Sequence, residues 1–369
     1  MNPKSLRKSL SVFHLVTGIT VGFIISLIFL SGSIIVYKPY LEKVAISDIA
    51  KVSPPSSKDK ILPLQTLLNE TYKRYPEYKI QNLVLYGSDN EAYSFRATPP
   101  HSHERVQIYV DQYRGTVLGT DNYKSKFMQW VYDFHVHLFL GKTGRKVVAL
   151  LAITVVLLAF TGLALVPARQ LKRLWIKSKN RFVFAFNLHN AVGMISLPFI
   201  LIIAFTGAYW GFPVTYRTMF EFIAPGKAIV SSPSLDSPCL TKDYCSLDTI
   251  LNNAQKFYPH GKPTLIFFPK SNTSCFSVRM KSNNDYARRG DNHIYLHPVT
   301  GHVISANLWD EKPLAEKLTR SMYFIHFGEF AGDASRILWI ILGLSVPILY
   351  FTGFYMWYKK RIKRKKKYS

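Results

Sequence analysis

Four long apolar runs interrupt an otherwise polar chain, at roughly residues 10–36, 147–166, 182–212 and 337–358. Each is long enough to cross a bilayer as a helix, which takes about 20 residues. The first and second runs are separated by a polar stretch of about 100 residues, as are the third and fourth, and each stretch is long enough for a small domain. Inside these stretches the apolar period shortens. Residues 64–75 and 247–258 read as short amphipathic helices that stop near Pro76 and Pro259. Alternating segments at 83–86, 92–96 and 107–111, and at 264–268, 274–278 and 293–297, read as strands. Turns follow that close on Gly115 and Gly301. Each polar stretch therefore reads as one helix packed on an antiparallel sheet.

The segmentation that follows is a first membrane helix (1–37), a first outer α+β domain (38–125), and an interfacial helix with the second membrane helix (126–166). After a basic connector (167–183) come the third membrane helix (184–212), a second α+β domain (213–320), an interfacial helix with the fourth membrane helix (321–358), and a basic tail (359–369). The expected fold is an α-helical membrane protein with four transmembrane helices in two parallel pseudo-twofold repeats and two extracytoplasmic α+β domains.

Histidine spacing strengthens the repeat. His14 is followed by Gly18 and Gly32, and His189 by Gly193 and Gly207, at identical offsets. His135 is followed by Gly141, Arg145 and Gly162, and His326 by Gly332, Arg336 and Gly353, again at identical offsets. A single histidine beside a membrane span reads as a wetted anchor. Four in matched pairs read as working groups, because histidine is costly in a bilayer. Two parallel repeats are related by an axis along the membrane normal. That axis sets His14 opposite His189 near one surface and His135 opposite His326 near the other. Two facing imidazoles suit the axial positions of a haem iron, so two haems are expected. Gly18 and Gly193, one helical turn beyond their histidines, would let a macrocycle approach the backbone. Arg145 and Arg336 would pair with its carboxylates, or else snorkel to lipid headgroups.

Charge fixes the expected orientation. A net charge of +25 raises the question of nucleic acid, but its placement answers otherwise. All acidic residues fall within 42–133 or 221–333, whereas the connector holds Arg169, Lys172, Arg173, Lys177, Lys179 and Arg181 with no acid. The tail from Lys359 is equally basic, and Lys4, Arg7 and Lys8 sit at the start. By the positive-inside rule these segments and both termini are cytoplasmic, attracted to anionic membrane lipid, and the two large loops lie outside. No nucleic-acid partner is expected. The apolar run at 10–36 is longer than a signal-peptide core and has a counterpart at 182–212, so it reads as a retained span. Cys239, Cys245 and Cys275 all fall in the second outer loop and allow one disulfide, whose partners the sequence leaves open.

The order of these elements, with His14-x3-Gly18, Phe134-His135, Gly144-Arg145, His189-x3-Gly193 and His326-Phe-Gly328, resembles the PepSY-associated transmembrane proteins. Further markers are Ser31-Gly32, Thr161-Gly162, Thr206-Gly207 and Thr352-Gly353 near span ends. The hairpins ending at Gly115 and Gly301 look like the family's D-P-x-T-G turn. Gln112 stands where Pro is usual in the first, and His297 where Asp is usual in the second. The resemblance runs from His14 to Trp357. It implies PepSY-like outer domains and a role like that of the family's iron-regulated inner-membrane proteins and siderophore-iron reductases.

The expected function is transmembrane electron transfer in the cytoplasmic (inner) membrane, ending in reduction of a ferric siderophore or other iron chelate on the outer side. Tyr132, Asp133, Tyr323 and Glu329 flank the outer histidines and are candidates for the reducing site; Asp133 or Glu329 would alternatively hold a histidine N–H. No dinucleotide fingerprint or P-loop is present. Electrons would then come from a cytoplasmic partner or a quinol. Alternative readings are a non-redox anchored binding or sensor protein and an iron-chelate permease. His137 competes with His135, and the tryptophans 130, 210, 339 and 357 read as an interfacial belt. The histidines 293, 297 and 302 cluster on the second hairpin and read as an ordinary sheet surface.

Overall fold

A computed structural model describes residues 3–38, 40–41, 47–53, 60–85, 88–102, 104–122, 126–167, 178–226, 233–235 and 244–368. Tyr86, His103, Cys239 and the connector cations Arg169, Lys172, Arg173 and Lys177 lie outside the described residues. In chain order the first half contains α1 (Pro3–Thr20), α2 (Gly22–Ile35), α3 (Leu64–Arg74), β1 (Lys79–Val84), β2 (Tyr93–Thr98), β3 (Val106–Val110), β4 (Val117–Asn122), α4 (Lys126–His137) and α5 (Gly141–Leu165). The second half contains α6 (Arg181–Ala208), α7 (Pro213–Ile223), α8 (Leu247–Phe257), β5 (Lys262–Phe267), β6 (Phe276–Lys281), β7 (Asn292–Leu296), β8 (Val303–Asn307), α9 (Leu314–His326) and α10 (Gly332–Tyr368). They divide into a helical unit (Met1–Lys38, Phe127–Met219, Thr319–Ser369) and a sheet unit (Pro39–Lys126, Phe220–Leu318).

In the helical unit, α6 packs against α5 and α10, α10 against α2, and α1 against α5. The small core holds Ile25, Val155, Ile200, Ala204 and Val346. Asn180 starts α6 by accepting the backbone N–H groups of Phe182 and Val183 through its side chain, which satisfies two of the donors a helix start leaves over. Helices α5, α6 and α10 are each long and apolar enough to cross a membrane. The first apolar run differs from the expected single helix. It breaks into α1 and α2, bent by 60° at Val21. The Thr20 hydroxyl donates back to the carbonyls of Val16 (2.9 Å) and Thr17 (3.4 Å) immediately before the break, and Gly22 follows it. Such back-bonding competes with the helical ladder and bends it. Among the described residues the candidate spans therefore number three, or four if the bent pair is one span.

The sheet unit also departs from expectation. Instead of two separate α+β domains, both loops contribute to one eight-stranded antiparallel sheet, ordered β4-β3-β2-β1-β5-β6-β7-β8. The seam is symmetric: Leu83 faces Ile266, flanked by Asn82 with Phe267 and Val84 with Leu265. Helices α3 and α8 cap one another. The Asp248 carboxylate accepts the N–H groups of Leu64 (2.8 Å) and Gln65 (3.0 Å), and Gln65 Oε1 accepts the N–H of Leu247 (3.1 Å). Both helices and the seam strands share one core, in which Leu67, Leu83, Phe95, Ile108, Ile250 and Ile266 are fully enclosed.

The two hairpin turns solve one problem with different side chains. Asp111 Oδ1 accepts the N–H groups of Tyr113 (2.8 Å) and Arg114 (3.2 Å) before Gly115 turns at φ 73°. His297 Nδ1 accepts those of Val299 (3.3 Å) and Thr300 (3.2 Å) before Gly301 at φ 71°. An imidazole lone pair thus replaces the Asx-type acceptor, which accounts for histidine in that position.

Candidate functional site

Each of the four histidines sits on one helix and is gripped by another from the same half of the chain. His14 on α1 places Nδ1 3.0 Å from Thr161 Oγ1 on α5. His189 on α6 lies 3.0 Å from Thr352 Oγ1 on α10. His135 on α4 reaches Ser31 Oγ at 3.3 Å and the Ile28 carbonyl at 2.8 Å, both on α2. His326 on α9 reaches Thr206 Oγ1 at 3.0 Å and the Ile203 carbonyl at 3.1 Å, both on α6.

These contacts assign the tautomer. A carbonyl oxygen only accepts, so Nδ1 carries the proton and Nε2 keeps its lone pair. The hydroxyls agree: those of Thr161, Thr206 and Thr352 donate to the carbonyls of Leu157 (2.8 Å), Ile202 (2.7 Å) and Ile348 (2.7 Å), and that of Ser31 to Ile28 (2.8 Å). Each proton is spent within its own helix, leaving the oxygen to accept from the ring.

The next residue is glycine in all four cases, and the ring explains it. A Cβ at Gly32 would stand 2.8 Å from His135 Cε1, at Gly207 3.0 Å from His326 Cε1, and at Gly162 3.1 Å from His14 Cε1. At Gly353 it would lie 3.5 Å from His189, an ordinary contact. The serine or threonine holds the ring, and the glycine makes room for it. Gly32 and Gly207 recur at a fixed offset from His14 and His189, yet they face His135 and His326, the histidines at the other end of their own half.

Rings from opposite halves face one another. The centroids of His14 and His189 are 6.4 Å apart with planes at 83°, and those of His135 and His326 are 6.2 Å apart with planes at 41°. Two imidazoles bound to one metal, each with a bond of about 2.0–2.1 Å, have centroids about 6.3 Å apart. Among the described residues no group of three or more His, Cys, Asp or Glu side chains is arranged around a metal ion. Two nitrogens alone underfill the sphere of every common divalent or trivalent first-row metal. The pairs thus suit a metal that brings its other donors with it, as a porphyrin iron does.

Space is present beside the His135–His326 pair. A mainly apolar cavity, about 1190 Å³ including its open mouth, is lined by His135, His326, Arg145, Tyr132, Trp210 and Trp339 among others. Trp210 lies with its ring 5.0 Å from that of His326, and Trp339 is buried with no partner for its indole N–H among the described residues. Both belong to this cavity, beyond the interfacial belt expected of them. Near His14, a Cβ on Gly18 would meet nothing within 4 Å, whereas at Gly193 it would touch only Leu349 at 3.6 Å.

The remaining sequence candidates divide. Arg145 is exposed and lines the cavity. Arg336 is buried and already bonded to Asp333 at 2.9 Å, with Glu329 at 4.0 Å, so its charge is met within the protein. Tyr132 lines the cavity beneath the Lys38 ammonium, 4.6 Å from its ring. Asp133 bonds Gln129 at 2.7 Å and His137 at 3.2 Å. The support for the outer ring N–H groups therefore comes from Ser31, Ile28, Thr206 and Ile203, and neither Asp133 nor Glu329 supplies it. His137 is held by Asp133, and it is His135 that faces His326. Tyr323 is half exposed and stacks on Phe327 at 4.6 Å. In the sheet unit, His293 contacts Ser277 at 3.2 Å and Asp291 at 3.7 Å and stacks between Phe267 and Tyr295. Burial, more than its charged neighbours, pushes its imidazole below the ordinary histidine range. Cys245 is half-buried and Cys275 buried.

The gripping residues Ser31, Thr161, Thr206 and Thr352 were visible from sequence only as markers. The signal was there: each precedes a glycine at a fixed offset from a histidine.

Apolar helices of spanning length define a helical membrane protein, which also carries an eight-stranded sheet unit. The chain belongs to the family described as the PepSY-associated TM region, whose profile matches residues 12–360. It is 30% identical over 126 residues to an uncharacterized protein of Pseudomonas aeruginosa, a match covering 28% of this chain and 32% of that relative. A crystal structure of a putative lipoprotein from Clostridium difficile 630 aligns over 69% of this chain and 99% of its own, at 9% identity and a TM-score of 0.28. That score carries no argument about fold.

Proposed function

We propose that this protein carries electrons across the cytoplasmic membrane through two b-type haems and delivers them to a ferric siderophore or similar iron chelate on the outer side. The two matched imidazole pairs, each with Nδ1 engaged and centroids 6.2 to 6.4 Å apart, are the observation that carries the reading. His14 and His189 would hold the inner group and His135 and His326 the outer one. Bound haem supplies one-electron chemistry without net proton transfer.

What the chain contributes is positioning and insulation. Apolar side chains around His135 and His326 keep the site in low dielectric, where burial helps set the potential. Arg145 and the Trp339 indole N–H offer a carboxylate two kinds of donor at the cavity wall. The substrate is the chelated ferric ion: one electron gives Fe(II), which binds hard oxygen donors less tightly, so the chelate releases it. The donor would be a cytoplasmic partner or a quinol. The basic connector, tail and first residues support cytoplasmic termini and the outer placement of both large loops.

Pyridine haemochrome measured on full-length protein tests this directly. We expect two haems per chain and a dithionite-reducible spectrum, with His14→Ala and His326→Ala each retaining one haem. Colourless, correctly folded protein would refute it and leave an anchored binding protein as the reading.

A further inference from the structure

The two histidine pairs share one clamp but differ in geometry. At each histidine the clamp is a hydroxyl followed by glycine, and at His135 and His326 a carbonyl one turn or less before it takes the same ring N–H. At His14 and His189 the planes are nearly crossed, at 83°. At His135 and His326 they are tilted by 41°. The outer pair also contains the odd clamp, Ser31, at 3.3 Å where the three threonines sit at 3.0 Å.

Ring rotation matters to an iron between two imidazoles. Each ring overlaps mainly with the metal d orbital lying perpendicular to its plane. Crossed rings treat the two such orbitals alike and leave them nearly equal in energy; rings closer to parallel raise one above the other. Low-spin ferric iron is then strongly anisotropic in the first case and rhombic in the second. A hydrogen bond from the far nitrogen adds electron density to the ligand and also tunes the metal.

Resting on the two-haem reading, we infer that Ser31, Thr161, Thr206 and Thr352 are positioning residues that lock ring rotation, and that through them the two sites are electronically unlike. The inner pair is the more anisotropic. Removing a clamp hydroxyl frees one ring without taking away its ligand nitrogen, because the hydroxyl engages Nδ1 and leaves Nε2 to the metal.

Electron paramagnetic resonance and redox titration of the oxidised full-length protein test it. Two ferric signals are expected, the one with the larger maximal g disappearing in His14→Ala and the rhombic one in His326→Ala. Thr161→Val should keep two haems per chain, move the first signal and its midpoint potential, and leave the second in place; Thr161→Ser should restore both. If Thr161→Val loses haem, Gly162→Ala, which presses a methyl on His14, should shift the same signal. Indistinguishable signals, or values unmoved in all these variants, would overturn the inference while the two-haem count stands. A chain with no haem would fail the parent reading itself.

Discussion

The sheet unit and the helical unit differ in where they put their large apolar side chains. In the sheet, Leu67, Leu83, Phe95, Phe276, Ile294 and Leu296 are all sealed from solvent. In the helices, large apolar side chains such as Leu150, Phe160, Ile341 and Phe351 face outward, while Ser26, Ser31, Ala191, Ser196, Ala204 and Thr206 lie inside. The first arrangement is driven by removing apolar surface from water. The second cannot be, since lipid tails are as apolar as leucine, and close contact through small residues takes its place. Small residues inside also leave the gaps in which rings can face one another.

This contrast makes ordered expectations for stability. Phe95→Ala should do most damage, costing about 3–5 kcal/mol of sheet-unit stability through lost burial and the cavity left behind. Denaturant unfolding of full-length protein, followed through the strand signal in circular dichroism, would measure it. Asp248→Ala should cost less, about 0.5–2 kcal/mol, by uncapping the first turn of α3; the same unfolding curve would shift by a smaller amount at unchanged slope. Phe351→Ala, at a position 61% exposed on α10, should change thermal stability in detergent by about 0.5 kcal/mol or less. A large loss there would mean that the outward face is packed against another protein, and the contrast between the units would weaken.

The spans, the strands nearest the seam and the histidine pairing were legible because each rests on local period or on repeated spacing. The bend at Val21 was not, since Gly22 and Thr20 sit within an unbroken apolar run. Strands β4 and β8 were missed because Val117–Asn122 and Val303–Asn307 carry polar and small residues with little alternation. The merging of two expected domains into one sheet depends on three residue pairs across the seam, a relation between distant segments that neither segment encodes alone. For the same reason the Thr161 grip on His14, across 147 positions, appeared only as a recurrent dipeptide. The paired carboxylates Asp133 and Glu329 drew attention as charged neighbours of the rings, yet each is engaged with another side chain.

The seam also has a consequence during synthesis. Strand β1 is finished about 180 residues before β5 leaves the ribosome, and at ~5–20 residues per second that is roughly 10–40 s. Through that interval the nascent first half carries a bare inner strand edge, the kind of surface that recruits stray strands. Two further hydrophobic segments must enter the bilayer before the matching strand arrives. A holding factor, or slow exposure of β1 itself, would protect the chain until closure.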